Sequence, residues 1–279
     1  MAKRRYSFDE DKLVRFTKEG RGQGTGGNYK PWLTIQDVPS RGRAARPTGW
    51  KTGRVHHFLS DIETAVFYLL DWEDHVLDIR EQFPLDREKT RRIASEMGVD
   101  HPSDVRTKVD IVMTTDLLVD LRMIDGIVRL AIAVKKSSDL DDIRTIEKLE
   151  IERRYWMEQG IEWVIITELD LEKARVANVR WVHEMRTLDG LDVPYPEFWQ
   201  DRCEQLLGCL APCAAMTIKQ FLHSLENNRG FAAGEGLTAI RHLIATKALA
   251  IDMDRPFDTS AILGQAIFRQ SQQDVRLRA

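Results

Sequence analysis

The chain has 279 residues, 43% of them apolar and 30% charged, the balance of an ordinary globular protein. No stretch reaches the roughly 18 uncharged apolar residues of a membrane span, and "MAKRRYSFDE" lacks the apolar core of a signal peptide, so a cytoplasmic protein with no membrane partner is expected. The net charge of −3 conceals an asymmetry, because residues 1–57 hold 13 Lys or Arg against 5 Asp or Glu, which leaves −11 on the remainder.

That basic stretch comes first. "GRGQGTGGNYK" and "PSRGRAARPTGWKTGR" are rich in Gly and Pro and poor in periodicity. Flexible backbone with interleaved Arg can follow a phosphate backbone and order on contact. Tyr29, Trp32 and Trp50 are unusual in a purely solvating tail. Arg21, Arg41, Arg43, Lys51 and Arg54 are therefore expected to bind DNA through phosphates, being scattered among Gly and Pro rather than set on one helix face. A solvated tail without a partner is the plainer reading. "GRGQGTGG" is no phosphate-cradling loop, since it follows no strand and precedes no Lys-Ser/Thr.

"SDIETAVFYLLDWEDHV" (60–76) has helical spacing, with Ile62, Ala65, Val66, Leu69 and Leu70 on one stripe. A short strand, "VLDIREQF" (76–83), and a polar helix, "DREKTRRIASEMG" (86–98), follow. "DIVMTTDLLVDL" and "IVRLAIAVKK" form a strand pair around the turn "RMIDG". A long amphipathic helix (139–160) ends at Gly160, where a helix C-terminus favours glycine, and leads to the apolar strand "IEWVIITE" (161–168). A last strand reached through a helix implies a parallel neighbour, hence a mixed sheet covered by helices. Restriction-endonuclease-like nucleases share that layout.

"DGLDVPYPEF" (189–198), with two prolines and a glycine, reads as a linker. Beyond it, "TIKQFLHSLE", "GLTAIRHLIATKA" and "LAIDMDRPF" suggest two helices, a strand and a wing. The expectation is a mainly α, winged-helix-like domain, whose recognition-like helix carries only Arg241, His242 and Lys247. Cys203, Cys209 and Cys213 suit reduced thiols, and their spacing to His223 matches no common zinc pattern.

Cleaving a phosphodiester requires a cation on the non-bridging oxygen, an activated water and neutralisation of developing charge. Carboxylates on adjacent elements supply the hard oxygens that Mg²⁺ prefers. Asp116 opens one strand and Lys135 closes its hairpin partner, and antiparallel pairing makes those ends neighbours. A lysine there can orient the water or stabilise charge, and Glu63 on the preceding helix can complete a metal shell. Each residue also has a plainer reading. Ser60-Asp61-Ile62-Glu63 is a capping box, Asp116 a turn acid, Asp120 an exposed rung and Lys135 a solvated strand end. The acid that such nucleases place two before the lysine is Ala133 here.

"KEGRGQG" (18–24), "PWLTIQDVPS" (31–40), "KTGRVHHFLSDIE" (51–63), "VLDIREQFPL" (76–85), "MTTDLLVD" (113–120) and "EKLEIERRYW" (147–156) together resemble the TnsA family, the endonuclease subunits of Tn-seven-type heteromeric transposases. The likeness runs from about residue 5 to 170. It implies a restriction-endonuclease-like catalytic domain, a C-terminal winged-helix region, and nicking of the 5′, non-transferred strands at transposon ends with Mg²⁺, for which Mn²⁺ would substitute. The implied partners are transposon-end DNA, a TnsB-like DDE transposase that cuts and joins the 3′ ends, and a TnsC-like AAA+ ATPase contacted by the C-terminal region. Carried over by motif, Glu63 in "SDIE", Asp116 in "MTTD" and Lys135 in "AVK" match the family's catalytic positions.

Ala133 departs from the family's Gln. Alanine ligates nothing, so the metal would rest on Glu63, Asp116, the backbone carbonyl of Val134 and water. Ala133→Gln is expected to leave cleavage intact. Two readings stay open: an active endonuclease, and a catalytically impaired nuclease-fold scaffold bridging transposase and ATPase. The expected organisation is a basic DNA-contacting region (1–57) of the catalytic domain, an endonuclease core (58–170) and a winged-helix-like partner-binding domain (171–279).

Overall fold

The computed structural model describes residues 7–38 and 43–269, and the chain divides into two compact units between Leu171 and Glu172. The first unit runs α1 (Glu10–Lys18), α2 (Asp61–Trp72), β1 (Val76–Pro84), α3 (Arg87–Met97), β2 (Thr114–Met123), β3 (Gly126–Val134), α4 (Ile143–Glu158) and β4 (Glu162–Ile166). The four strands make one sheet in sequence order. β1–β2 and β2–β3 are antiparallel and β3–β4 parallel, the mixed sheet expected from a strand reached through a helix.

Leu117, Leu118 and Val119 are all buried, as are Ala131 to Val134. Such unbroken apolar runs mark strands covered on both faces. Leu118 and Ala131 share a core with Ile93 of α3 and with Ile151 and Trp156 of α4. Helix α4 starts later than its spacing suggests. Residues 137–141 form a tighter turn, and Asp142 caps the helix by accepting the Thr145 N–H at 2.9 Å.

Helix α2 is buried more widely than one stripe. Ile62, Leu69 and Leu70 are only half-buried, whereas Glu63, Thr64, Phe67, Tyr68 and Asp71 are enclosed. The segment before the helix supplies a second neighbour. The rings of His56 and Phe58 lie 4.6 and 4.8 Å from Phe67, and Asp71 accepts the backbone N–H groups of Trp50 and Lys51 at 2.6 and 3.0 Å.

The described part of the basic stretch is folded into this unit, contrary to the expectation of a flexible arm. Phe16 and Trp32 meet edge to face at 5.2 Å in a core with Phe8 and Val112, and the Tyr29 hydroxyl donates to the Glu81 carbonyl at 3.1 Å. Tyr29 and Trp32 are therefore core, and Trp50 is half-buried. The glycines serve close packing. Gly22 (φ +76°) presses on Pro84, which a Cβ would meet at 2.2 Å, and Gly24 (φ +90°) turns tightly over the Asn28 carbonyl.

The second unit comprises α5 (Lys173–His183), α6 (Phe198–Leu210), α7 (Ile218–Arg229), α8 (Glu235–Ala245), β5 (Leu249–Ala250), α9 (Leu263–Ala266) and β6 (Phe268–Arg269), with β5 and β6 paired antiparallel. It is mainly helical, as expected. Residues 189–198 are no interdomain linker but part of the connection from α5 to α6 inside this unit. Helix α8 is no exposed recognition helix. Arg241 donates to the Trp181 carbonyl and pairs with Glu184 at 3.0 Å, and the His242 imidazole bonds the Met185 carbonyl at 2.8 Å. Its basic groups are used to dock α5.

Candidate active site

The β2–β3 ladder ends at the pair Leu117↔Ile132, and one step further Asp116 lies level with Ala133. There the Asp116 side chain replaces backbone pairing, with Oδ2 accepting the Val134 N–H at 2.7 Å. The same oxygen accepts from the Lys135 ammonium at 2.7 Å, and that ammonium also donates to the Val134 carbonyl at 2.9 Å. Asp116 is thus no turn acid, and Lys135 is no freely solvated strand end. Burial alone would lower the lysine's pKa, but Asp116, Glu152 and Glu63 around it hold it above the ordinary value.

Glu63 is only 6% exposed. It does close the start of α2, since its carboxylate accepts the Leu59 N–H at 3.0 Å and the Ser60 hydroxyl at 2.9 Å. Capping and site membership coexist. Burial, and then the charge of Asp116, push its pKa up to about 7 against the opposing bonds from Leu59 and Ser60. A raised carboxyl pKa contributes stability that is present below the unfolded value of 4.5 and lost as pH rises through about 7. Glu63→Gln removes that loss. The stability of the variant relative to the native chain should therefore rise between pH 5 and 8, by an amount on the order of 2 kcal/mol. Melts without divalent metal at both pH values give the answer, and a flat difference refutes the coupling.

A third carboxylate went unpredicted. Glu152 of α4 is 5% exposed and accepts the Thr115 hydroxyl at 2.8 Å, while that hydroxyl accepts the Trp156 indole N–H at 2.6 Å. Burial and then the Asp116 charge raise its pKa to about 7, against the pull of Lys135 and the bond from Thr115. The sequence does carry a signal for it. Leu149, Glu152 and Trp156 share one helix face, so a charged residue interrupts an apolar stripe.

Two buried carboxyls, Glu63 and Glu152, each raised by burial and by the Asp116 charge, form a site that binding a cation would relieve. Among the described residues no three His, Cys, Asp or Glu side chains form a metal cage, which disfavours a zinc-type site. One or two carboxylates, a carbonyl and water suit a hard, hydrated ion such as Mg²⁺. Glu63, Asp116 and Val134 O fit that chemistry.

Two family models match consecutive parts of the chain: "TnsA-like endonuclease N terminal" over residues 73–168 and "TnsA endonuclease C terminal" over residues 170–253. "Transposon Tn7 transposition protein TnsA" of Escherichia coli is 52% identical over 188 residues, 67% of each chain. The chain belongs to the TnsA endonuclease family. Asp116, Ala133, Val134, Lys135 and Glu152 all lie inside the TnsA N-terminal match, and Glu63 precedes it.

Within this TnsA-type unit the proposed phosphate contacts separate. Arg54 is only 9% exposed and forks onto Glu81 at 2.8 and 2.5 Å, with further bonds to the Gly26 and Ile79 carbonyls. Arg21 lies over the Phe16 ring and pairs with Glu19 and Asp37, both at 2.6 Å. The structure gives both of them internal partners. Arg43 is exposed and Lys51 half-buried, while Arg41 lies outside the described residues. A hydroxyl–imidazole–carboxylate line also runs from Thr52 through His56 to Glu81, 2.8 Å at each step. All three side chains are buried, so it braces the fold and offers no nucleophile.

Proposed function

We propose that the chain is the metal-dependent endonuclease subunit of a heteromeric transposase, nicking the 5′, non-transferred strand at transposon ends. The observation that carries this is the convergence of Glu63, Asp116 and Lys135, a buried carboxyl beside a second carboxylate that is ion-paired to an ammonium. Glu63, Asp116 and the Val134 carbonyl would hold Mg²⁺, for which Mn²⁺ would substitute. The bound ion supplies Lewis-acid polarisation of the phosphate and a more acidic water. Without a metal Asp116 holds Lys135 in an ion pair, and the lysine ammonium would orient the attacking water and offset charge on the phosphate. A TnsB-like DDE transposase would cut the 3′ ends, and the C-terminal unit would contact a TnsC-like AAA+ ATPase. Titrating Mg²⁺ into the chain, partner transposase and transposon-end duplex should switch on cleavage of one strand, and chelation should stop it. Cleavage indifferent to chelation overturns the metal assignment.

Ala133 favours the second reading, a nuclease-fold scaffold, because it gives a metal nothing to hold. It is also fully buried, so the family's Gln is not free to be restored. Ala133→Gln should lower stability by about 1–3 kcal/mol through overpacking and still leave nicking in place. Loss of nicking in a variant that unfolds cooperatively would show that position 133 must stay small.

Among the described residues of the set expected to bind phosphate, Arg43 is the exposed one. Arg43→Ala should weaken DNA binding equally on end and scrambled duplexes and lower the salt slope by roughly 1. A loss confined to the true end sequence would make Arg43 a base reader.

A further inference from the structure

Lys135 occupies an unusual position for a catalytic lysine. Its side chain folds back so that Nζ donates both to Asp116 Oδ2 at 2.7 Å and to the carbonyl of the preceding residue, Val134, at 2.9 Å. Those are groups already assigned to the divalent cation, and they leave Glu63 as the third. The ammonium is a compact point charge with three donors, so it satisfies the same oxygens that a hard metal ion seeks. Three carboxylates, Asp116, Glu152 and Glu63, hold it in place electrostatically. Yet 30% of the side chain remains exposed, against 13% for Asp116, which gives it a route outward.

We infer that Lys135 is the internal counter-cation of this site, and that its ammonium and a divalent metal hold the Val134 carbonyl and the Asp116 carboxylate in turn. Two like charges sharing the same oxygens repel strongly where water is scarce, so a metal held by Asp116 and the Val134 carbonyl would displace the ammonium. The lysine would then be available for its catalytic role only once the metal is held. The inference rests on the metal-dependent nuclease reading.

The test is Mn²⁺ binding to the full chain, measured by calorimetry or electron paramagnetic resonance, for the native protein, Lys135→Met and Lys136→Met. Lys136 is the exposed neighbour and reports the general field alone. Expulsion predicts that Lys135→Met binds Mn²⁺ about tenfold or more tightly, and that the gain survives high salt, because buried pairs are poorly screened. Lys136→Met should shift affinity less than about twofold, and salt should erase the shift. Equal affinity of native and Lys135→Met chains, or a gain that salt removes, overturns the exchange while leaving the nuclease reading standing. Absence of Mn²⁺ binding in both chains refutes that reading and the exchange with it. A structure of the native chain with Ca²⁺ needs no variant. It should show Nζ beyond hydrogen-bond reach of the Val134 carbonyl, and Nζ still on both oxygens beside a bound ion contradicts the inference.

Discussion

Asp116→Ala should lower 5′-strand cleavage by about 10²–10³-fold or more, since it removes a metal ligand. Cleavage of the 3′ ends by the partner transposase should persist. The structure adds a cost that strand spacing does not reveal. Asp116 also accepts the Val134 N–H and balances Lys135, so alanine leaves the amide without its acceptor and the ammonium without its ion-pair partner, a loss of about 1–3 kcal/mol. Asp116→Asn keeps an acceptor for the amide and should recover part of that stability without recovering cleavage. Strand-resolved gels and thermal melts on both variants separate the two effects, and double-strand excision by either variant removes Asp116 from the site.

Arg54→Ala should unfold the first unit far more readily and should not behave as the loss of one phosphate contact. Breaking a buried, bidentate pair leaves Glu81 charged and enclosed, which costs about 3–5 kcal/mol. Burial would raise the Glu81 pKa, but the bonds from Arg54 and His56 outweigh it and bring it down to about 2. A depressed carboxyl pKa contributes stability that is present above the unfolded value of 4.5 and lost as pH falls towards about 2. The native chain should therefore lose stability in that window, and Arg54→Ala should lose less across it because much of the contribution is already gone. A variant that melts like the native chain but shows a salt slope reduced by roughly 1 would return Arg54 to the DNA surface.

The contrast between these two residues shows what the sequence discloses. Asp116 and Lys135 were legible because hairpin pairing is local: once two strands and a short turn are recognised, the ends that must meet follow. The mixed sheet followed from the same reasoning, one helix between two apolar strands. Arg54 misled because its partner, Glu81, is 27 residues away, and no periodicity connects a loop arginine to a strand acid. The glycines around it signal flexible chain in isolation and tight packing in context, as Gly22 against Pro84 shows. Glu152 was overlooked for a different reason. On α4 it reads as one more acid in "EKLEIERR", and only its place on the Leu149–Trp156 face marks it as buried. The plainer reading of Glu63 was also correct as far as it went, because a capping carboxylate can at once face Asp116.

The claim that everything else rests on is strand-specific, metal-dependent cleavage by this chain. Transposon-end duplexes labelled on one strand at a time, incubated with Mg²⁺, the partner transposase and either the native chain or Asp116→Asn, measure it directly. The account predicts a nick at the 5′ end of the non-transferred strand with the native chain and none with the variant, and 3′ cleavage in both reactions. A non-transferred strand left intact by the native, metal-loaded chain while the 3′ ends are cut would contradict it and leave the nuclease-fold scaffold in its place.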